Sequence, residues 1–346
     1  MEIDKDTLIR NLESVSAGLS PREVIEQSSC FVFKDGQVQT FNDEICCTAV
    51  CMMQVTGAVS AAPLLSLLKK IPDETITAEQ TDSELVIMGK RRKAGLRMEK
   101  EILLPVDNVE TPKDSGWQKL SETFADAIGV VCGSISNDQN RFSLTCIHIH
   151  PEWIESCDGF QLTRCTMSTG VAKSILVRGK AMRQVGQLGM IEFCETGSWI
   201  HFRNDSGLVL SVRKYVEEYP DLSGLLSIDG VKTELPKGIV EAAEIAEIFS
   251  ADNVDQNQVS VELGRGRVRV KGESTSGWYS ETRKMKESVQ SVKFMIDPKL
   301  LKEIVKHPTC EIQEGKAGTD DKPTIGRLKV VTELFEYVTC LGSVEK

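Results

Sequence analysis

The stretch IDPKLLKEIVKHP, residues 296–308, reads as the end of a strand running directly into a short amphipathic helix. Asp297 suits an N-cap and Pro298 the first turn, where a missing amide hydrogen costs nothing. At about 100° per residue, Leu300, Leu301, Ile304 and Val305 share one side of that helix. Lys299, Lys302 and Lys306 share the other. The same plan occurs twice more, in VSAAPLLSLLKKIP (59–72) and VRGKAMRQVGQLG (177–189). Val59, Val177 and Ile296 each close the strand-like lead, about 118 residues apart. In the first copy Leu64, Leu65, Leu67 and Leu68 turn inward and leave Ser66 and Lys70 outward. In the second, Arg178, Lys180 and Arg183 flank the start of the helix.

Working outward, an earlier helix repeats with the same period in DKDTLIRNLESVSAG (4–18), WQKLSETFADAIGVVCG (117–133) and PKGIVEAAEIAEIFS (236–250). Leu8, Phe124 and Val240 occupy similar places, about 116 residues apart. Between the two helices, each copy carries two alternating strands around a tight turn. The turns centre on Asp35-Gly36, on Asp158-Gly159 and on Gly264 to Gly266. Further hairpin signals follow each second helix. The predicted architecture is therefore α+β, with three copies of one domain at 1–112, 113–228 and 229–346. The joints fall in LPVDNVETPKDSGW (104–117) and SIDGVKTELPKG (227–238), both rich in turn formers and charge.

The chain has 346 residues, enough for several cores, and an ordinary 40% hydrophobic and 27% charged content. No apolar run approaches the roughly 20 residues of a membrane span, and MEIDKDTLIR has no signal-peptide stretch. These features predict a soluble, cytoplasmic protein with no membrane partner. The net charge of −10 argues against a wholesale nucleic-acid binder but leaves room for a local basic surface. The densest basic run, GKRRKAGLR (89–97), sits in a predicted hairpin. The eleven cysteines are scattered without a CxxC pair and read as small buried hydrophobes in a reducing compartment. In TCIHIHP, Cys146, His148 and His150 would share a strand face, but no second ligand cluster accompanies them, so no metal and no cofactor is expected.

Motifs of catalysis are missing: no phosphate loop between strand and helix, no G-x-S-x-G elbow and no H-E-x-x-H. Asp158 in ESCDGFQLTR invites a catalytic reading, as a carboxylate working with a histidine. Asp35 stands at the corresponding corner of another copy, so a turn explains Asp158 first. No catalytic activity is expected.

Three α+β repeats of about 115 residues, each with two helices, resemble the bacterial sliding clamp, the beta subunit of DNA polymerase III. RFSLTCIHIHPEWIESCDGFQLTRCTM (141–167) resembles the clamp's middle-domain stretch containing Thr-Asp-Gly-His-Arg-Leu-Ala. ILVRGKAMRQV (175–185) resembles its Val-Pro-Arg-Lys helix lead, and VEEYPDLSGLL (216–226) its Phe-Pro-Asp-Tyr-Arg segment. LFEYVTCLG (334–342) resembles its Tyr-Val-Val-Met-Pro ending.

The resemblance implies a head-to-tail homodimer, a six-domain ring with helices inside and antiparallel sheets outside, threaded by double-stranded DNA without sequence preference. It implies a clamp loader and a replicative DNA polymerase as partners. The DNA-facing positions it suggests are Arg22, Arg178 and Lys180, beside Lys70, Arg183, Lys299, Lys302 and Lys306 from the helix pattern. The partner-peptide pocket it implies maps onto Leu144, Gly159, Phe160, Gln161, Leu162, Ser227, Val338, Thr339 and Cys340. Phe160-Gln161 stands where the family has His-Arg, Ser227 where it has proline, and Cys340-Leu341 where it has Met-Pro. These departures fit a divergent clamp, such as one from a phage or prophage. A clamp-fold interaction protein that binds replication partners without encircling DNA is the alternative.

Overall fold

The computed structural model describes residues 2–250, 258–315 and 325–342. Among the described residues seven α-helices are defined: α1 (Lys5–Ser14), α2 (Ala61–Lys70), α3 (Phe124–Val131), α4 (Gly179–Gln187), α5 (Ser223–Leu226), α6 (Ile239–Glu247) and α7 (Pro298–Ile304). The predicted strand-to-helix joints are present in all three copies. Gly57–Ser60 leads into α2, Ile175–Arg178 into α4 and Val292–Ile296 into α7, with Ser60, Arg178 and Asp297 at the caps. Asp297 caps as its sequence suggested: its carboxylate accepts from the Lys299 amide at 2.8 Å. Asp4 does the same for α1 through the Thr7 amide.

The two helices of each repeat pack together, α1 with α2, α3 with α4, and α6 with α7. The buried stripe of α7 is narrower than its pattern, with Leu301 and Ile304 fully enclosed and Leu300 and Val305 half-buried. In α6 the inward residue is Ile239, together with Ala242, Ala243 and Ala246, while Val240 lies at the edge of the core.

Chain contacts divide the molecule into two compact units. The first comprises residues 1–135, 139–154 and 167–218; the second comprises 136–138, 155–166 and 219–346. The first holds α1 to α4 and their hairpins. One hairpin joins Cys30–Lys34 to Gln37–Phe41, and Asp35 and Gly36 turn its corner with φ of 52° and 72°. That pair of positive φ values is the twist-matched two-residue turn anticipated from Asp-Gly.

The second unit contains a four-stranded antiparallel sheet in the order Gly277–Lys284, Arg267–Ser274, Val259–Gly264, Val292–Ile296. Its inner face (Val261, Leu263, Val268, Val270, Phe294 and Ile296) is covered by α6 and α7. The helix lies so close that a Cβ at Gly272 would collide with the Ala246 carbonyl. The turn between the first two strands in chain order is Arg265-Gly266, with φ of 50° and 69°. A further hairpin pairs Cys310–Gln313 with Gly326–Val331, and its connecting residues 316–324 lie outside the described residues. Every strand pairing cited is antiparallel, as the α+β reading requires.

Ten of the eleven cysteines are buried and free, and Cys340 is half-buried. Burial pushes the thiols of Cys46, Cys165 and Cys310 up to about 12, so these side chains stay neutral. Among the described residues, no helix is long and apolar enough to cross a membrane.

Candidate functional site

Asp158 turns the corner between Trp153–Cys157 and Gln161–Thr166. Its amide donates to the Gln161 carbonyl at 3.2 Å, and its Oδ1 accepts from the amides of Phe160 (2.8 Å) and Gln161 (2.7 Å). Oδ2 accepts from Gln161 Nε2 at 3.0 Å, and Gly159 supplies the φ of 98°. Both carboxylate oxygens are thus engaged by the turn itself, which is the work expected of aspartate there.

The turn leads into a strand pairing that joins distant parts of the second unit. Gln161 lies opposite Thr339 and Leu162 opposite Val338. The Cys340 amide donates to the Phe160 carbonyl at 2.8 Å, and the Tyr337 hydroxyl donates to Gln161 Oε1 at 2.8 Å. The Gln161 amide therefore bonds Asp158 and Tyr337 from its two ends. Phe160 is 62% exposed and Cys340 half-buried, which places an aromatic ring and a thiol side by side at the surface. Burial raises the Cys340 thiol above its ordinary value; nearby Arg327 opposes this and Asp158 reinforces it.

Three residues expected in the pocket are enclosed and do not reach the surface. Leu162 is 2% exposed, and Val338 and Thr339 are also enclosed. Leu162 points to the face opposite Gln161 and Thr163, and since Leu162 and Thr163 are both buried, both faces of the strand are covered there. Gly159 and Ser227 are exposed, Ser227 at the end of α5. Leu144 is half-buried and belongs to the first unit.

Beneath this surface lies an ion pair that the sequence did not reveal. Arg164 meets Glu155 Oε2 through Nε at 2.8 Å and through Nη2 at 2.7 Å, and its Nη atoms reach Ser223 Oγ at 3.4 and 3.5 Å. Glu155 is 2% exposed.

The cationic positions divide into two kinds. Arg22, Lys70, Lys180, Arg183, Lys299, Lys302 and Lys306 are all exposed. Arg178 is not: it is 7% exposed, pairs with Glu44 at 3.1 Å, bonds Gln139 and Thr145, and lies over the Phe142 ring. A guanidinium so enclosed cannot meet a ligand at the surface, so the structure removes Arg178 from the cationic face. Glu44 lies far away in sequence, which is why the pairing could not be read there. Two of the exposed helices also carry carboxylates from their partners: Glu13 of α1 meets Lys69 of α2 at 2.6 Å, and Glu244 of α6 meets Lys302 at 3.5 Å.

The histidines are accounted for by packing. His150 stacks on Trp153, His148 meets His150 edge-on, and His307 meets Phe335 edge-on. His201 is wholly buried, with Nδ1 bonded to Ser211 at 2.7 Å and Nε2 to Thr196 at 2.9 Å. Burial, with a smaller push from Lys214, lowers its pKa to about 4 against a pull from Glu110. Among the described residues, no group of three or more His, Cys, Asp or Glu side chains could hold a metal ion.

No family model matches the chain, and no curated protein matches it in sequence. Solved structures match it from end to end. The DNA polymerase sliding clamp of Bacillus subtilis superposes with a TM-score of 0.81 at 12% identity, covering 99% of both chains. The DNA polymerase III beta chain of Streptococcus pneumoniae gives 0.82 at 14%, again over 99% of both. The Helicobacter pylori beta clamp, in a structure with a bound DNA ligase peptide, gives 0.78 at 13% over 99% of this chain and 100% of that one. The fold is that of the sliding clamps.

Proposed function

We propose that the protein is a DNA polymerase processivity factor: a sliding clamp that encircles duplex DNA, tethers a replicative polymerase, and has no catalytic activity of its own. The observation that carries this reading is the end-to-end likeness to sliding clamps, over 99% of this chain in each case. In this reading the chain has three clamp domains, 1–112, 113–228 and 229–346, works in the cytoplasm and is placed on DNA by a clamp loader. Arg22, Lys70, Lys180, Arg183, Lys299, Lys302 and Lys306 face the duplex as weak, sequence-blind phosphate contacts. Net negative charge is no obstacle, since a closed ring holds DNA by topology.

A head-to-tail ring needs two different surfaces on one chain that complement each other. Each unit offers an open strand edge. In the first unit, Lys93–Glu99 pairs with Glu84–Met88, and over 93–97 its other side is unpaired among the described residues. In the second unit, Gly277–Lys284 is the edge of the four-stranded sheet. Two such edges, one flanked by the basic run 90–93, support pairing between copies.

Light scattering at micromolar concentration is expected to give the mass of a dimer. Neutralising Lys299, Lys302 and Lys306 together with glutamine is expected to leave that mass unchanged and to shorten retention on circular duplex DNA by about tenfold at moderate salt. A strictly monomeric protein, with full binding of clamp partners, would instead establish a clamp-fold protein that never encircles DNA.

The Helicobacter pylori clamp takes a peptide, and the Phe160–Cys340 surface is where this chain would do so. Its partner segment meets an exposed ring and a thiol, with Gln161 already committed to Asp158 and Tyr337, so apolar anchoring dominates. Phe160→Ala is expected to weaken a cognate polymerase peptide by about 1–3 kcal/mol in calorimetry. Unchanged affinity would move the pocket elsewhere. Leu162→Ala is unsuitable for this test, because Leu162 is enclosed and its loss would read out as stability.

A further inference from the structure

The outer face of the four-stranded sheet in the second unit has no place in the clamp reading, and its chemistry is distinct. The inward residues of its strands are apolar, so the alternate residues must point away from the helices. On Arg267–Ser274 those are Arg267, Arg269, Lys271 and Glu273; on Gly277–Lys284 they are Trp278, Ser280, Thr282 and Lys284. The register sets Arg267 beside Lys284, Arg269 beside Thr282, Lys271 beside Ser280 and Glu273 beside Trp278. Lys293 and Glu262 lie in the same row as Arg269. Arg265 stands at the hairpin turn at one end.

In a chain of net charge −10, this face carries cations in excess of carboxylates. Glu273 is occupied by Lys271. Among the described residues, no ion pair holds Arg265, Arg267, Arg269 or Lys284, and all four are exposed. Trp278 is 67% exposed, an indole left in water at the end of that cationic ladder. A buried role does not account for it, and a large exposed aromatic beside aligned cations is the combination that binds single-stranded nucleic acid. Cations spaced along a strand track a phosphate backbone, and the flat indole stacks on a base of any kind.

We infer that this sheet face is a binding surface for single-stranded nucleic acid, with Arg267, Arg269 and Lys284 on the phosphates and Trp278 stacked on a base. The exposed Trp278 indole can stack only on a base that is free of its pairing partner, so the surface discriminates against double strands. The free backbone edge of Gly277–Lys284 points sideways while these side chains point out of the face, so self-association through the edge uses different atoms. The inference does not depend on the clamp reading.

The test is fluorescence anisotropy of a labelled oligo-dT with the full chain at low salt, with duplex of equal length as comparator. The wild type is expected to bind oligo-dT more tightly than duplex. Trp278→Ala is expected to weaken it by about tenfold. Arg267→Gln with Arg269→Gln is expected to weaken it and to flatten its salt dependence by about two counterions. Lys299→Gln with Lys302→Gln and Lys306→Gln should leave oligo-dT binding unchanged, which separates this surface from the duplex-facing helices. Because all the altered side chains are exposed, matching melting curves should accompany every variant.

Equal binding by the Trp278 and arginine variants would overturn the assignment, as would no binding by the wild type at low salt. Loss with the arginines but not with Trp278→Ala would reduce the face to undirected charge and overturn the stacking role. Stronger binding of poly-glutamate than of oligo-dT would reassign the face to an acidic protein segment.

Discussion

Arg164→Ala is expected to destabilise the second unit by about 3–5 kcal/mol, the usual cost of removing one partner from a buried ion pair. Glu155 is 2% exposed and takes two contacts from the guanidinium, so the alanine leaves a carboxylate facing the protein interior without its counter-charge. Two-state analysis is unsafe for a chain of two units, so amide exchange in the strands Gln161–Thr166 and Glu336–Leu341 is the direct measurement. Replacing both partners together, Glu155→Leu with Arg164→Leu, is expected to cost much less than the single change, because no charge is stranded. A single-variant loss below about 1 kcal/mol would show that the pair is worth no more than a surface bridge. The same variant should loosen the Asp158 turn and with it the Phe160 surface, since Arg164 fixes the strand that carries both.

Acid is expected to destabilise the first unit through His201. Its pKa is about 4 in the folded protein and 6.5 when free, so folded His201 stays neutral where the unfolded chain takes up a proton. Below pH 6.5 the unfolded state therefore binds more protons and stability falls as pH falls, at up to about 1.4 kcal/mol per pH unit. The loss is complete near pH 4 and amounts to about 3 kcal/mol; above pH 6.5 this residue contributes no slope. Carboxylates lose their own partners in acid, so the difference between wild type and His201→Gln isolates the histidine. Melting curves between pH 7 and 4.5 should converge as pH drops, with the variant less acid-sensitive. Parallel curves would mean that His201 titrates normally and that its enclosure by Ser211 and Thr196 opens readily.

The repeat was legible because its signals are local. A strand end, a cap and an amphipathic turn lie within a dozen residues, so the three joints at Ser60, Arg178 and Asp297 could be found without any tertiary knowledge. The hairpin corners were legible for the same reason, since Asp-Gly and Arg-Gly-containing turns need positive φ at fixed positions. What failed was non-local. Arg178 reads as a surface cation until Glu44 and Phe142 close over it, and Arg164 reads as an ordinary strand residue until Glu155 faces it. Leu162 and Thr339 were expected to line a pocket, yet the pairing of their strands leaves both buried. The outer sheet face was not read from the sequence: Arg265, Arg267 and Arg269 alternate with other residues there, but only the register against Gly277–Lys284 sets Trp278 on the same side as Arg267 and Arg269.

The pairing of Gln161–Thr166 with Glu336–Leu341 has a consequence during synthesis. Gln161 and Tyr337, hydrogen-bonded across that pairing, are 176 positions apart in the chain. At about 5–20 residues per second, the earlier strand leaves the ribosome some 10–35 seconds before its neighbour exists. Throughout that interval it presents an unmatched row of backbone donors and acceptors, with Leu162 and Cys165 not yet covered. Glu336–Leu341 is therefore the strand that shuts this edge, and a chain truncated before residue 336 would carry the gap permanently.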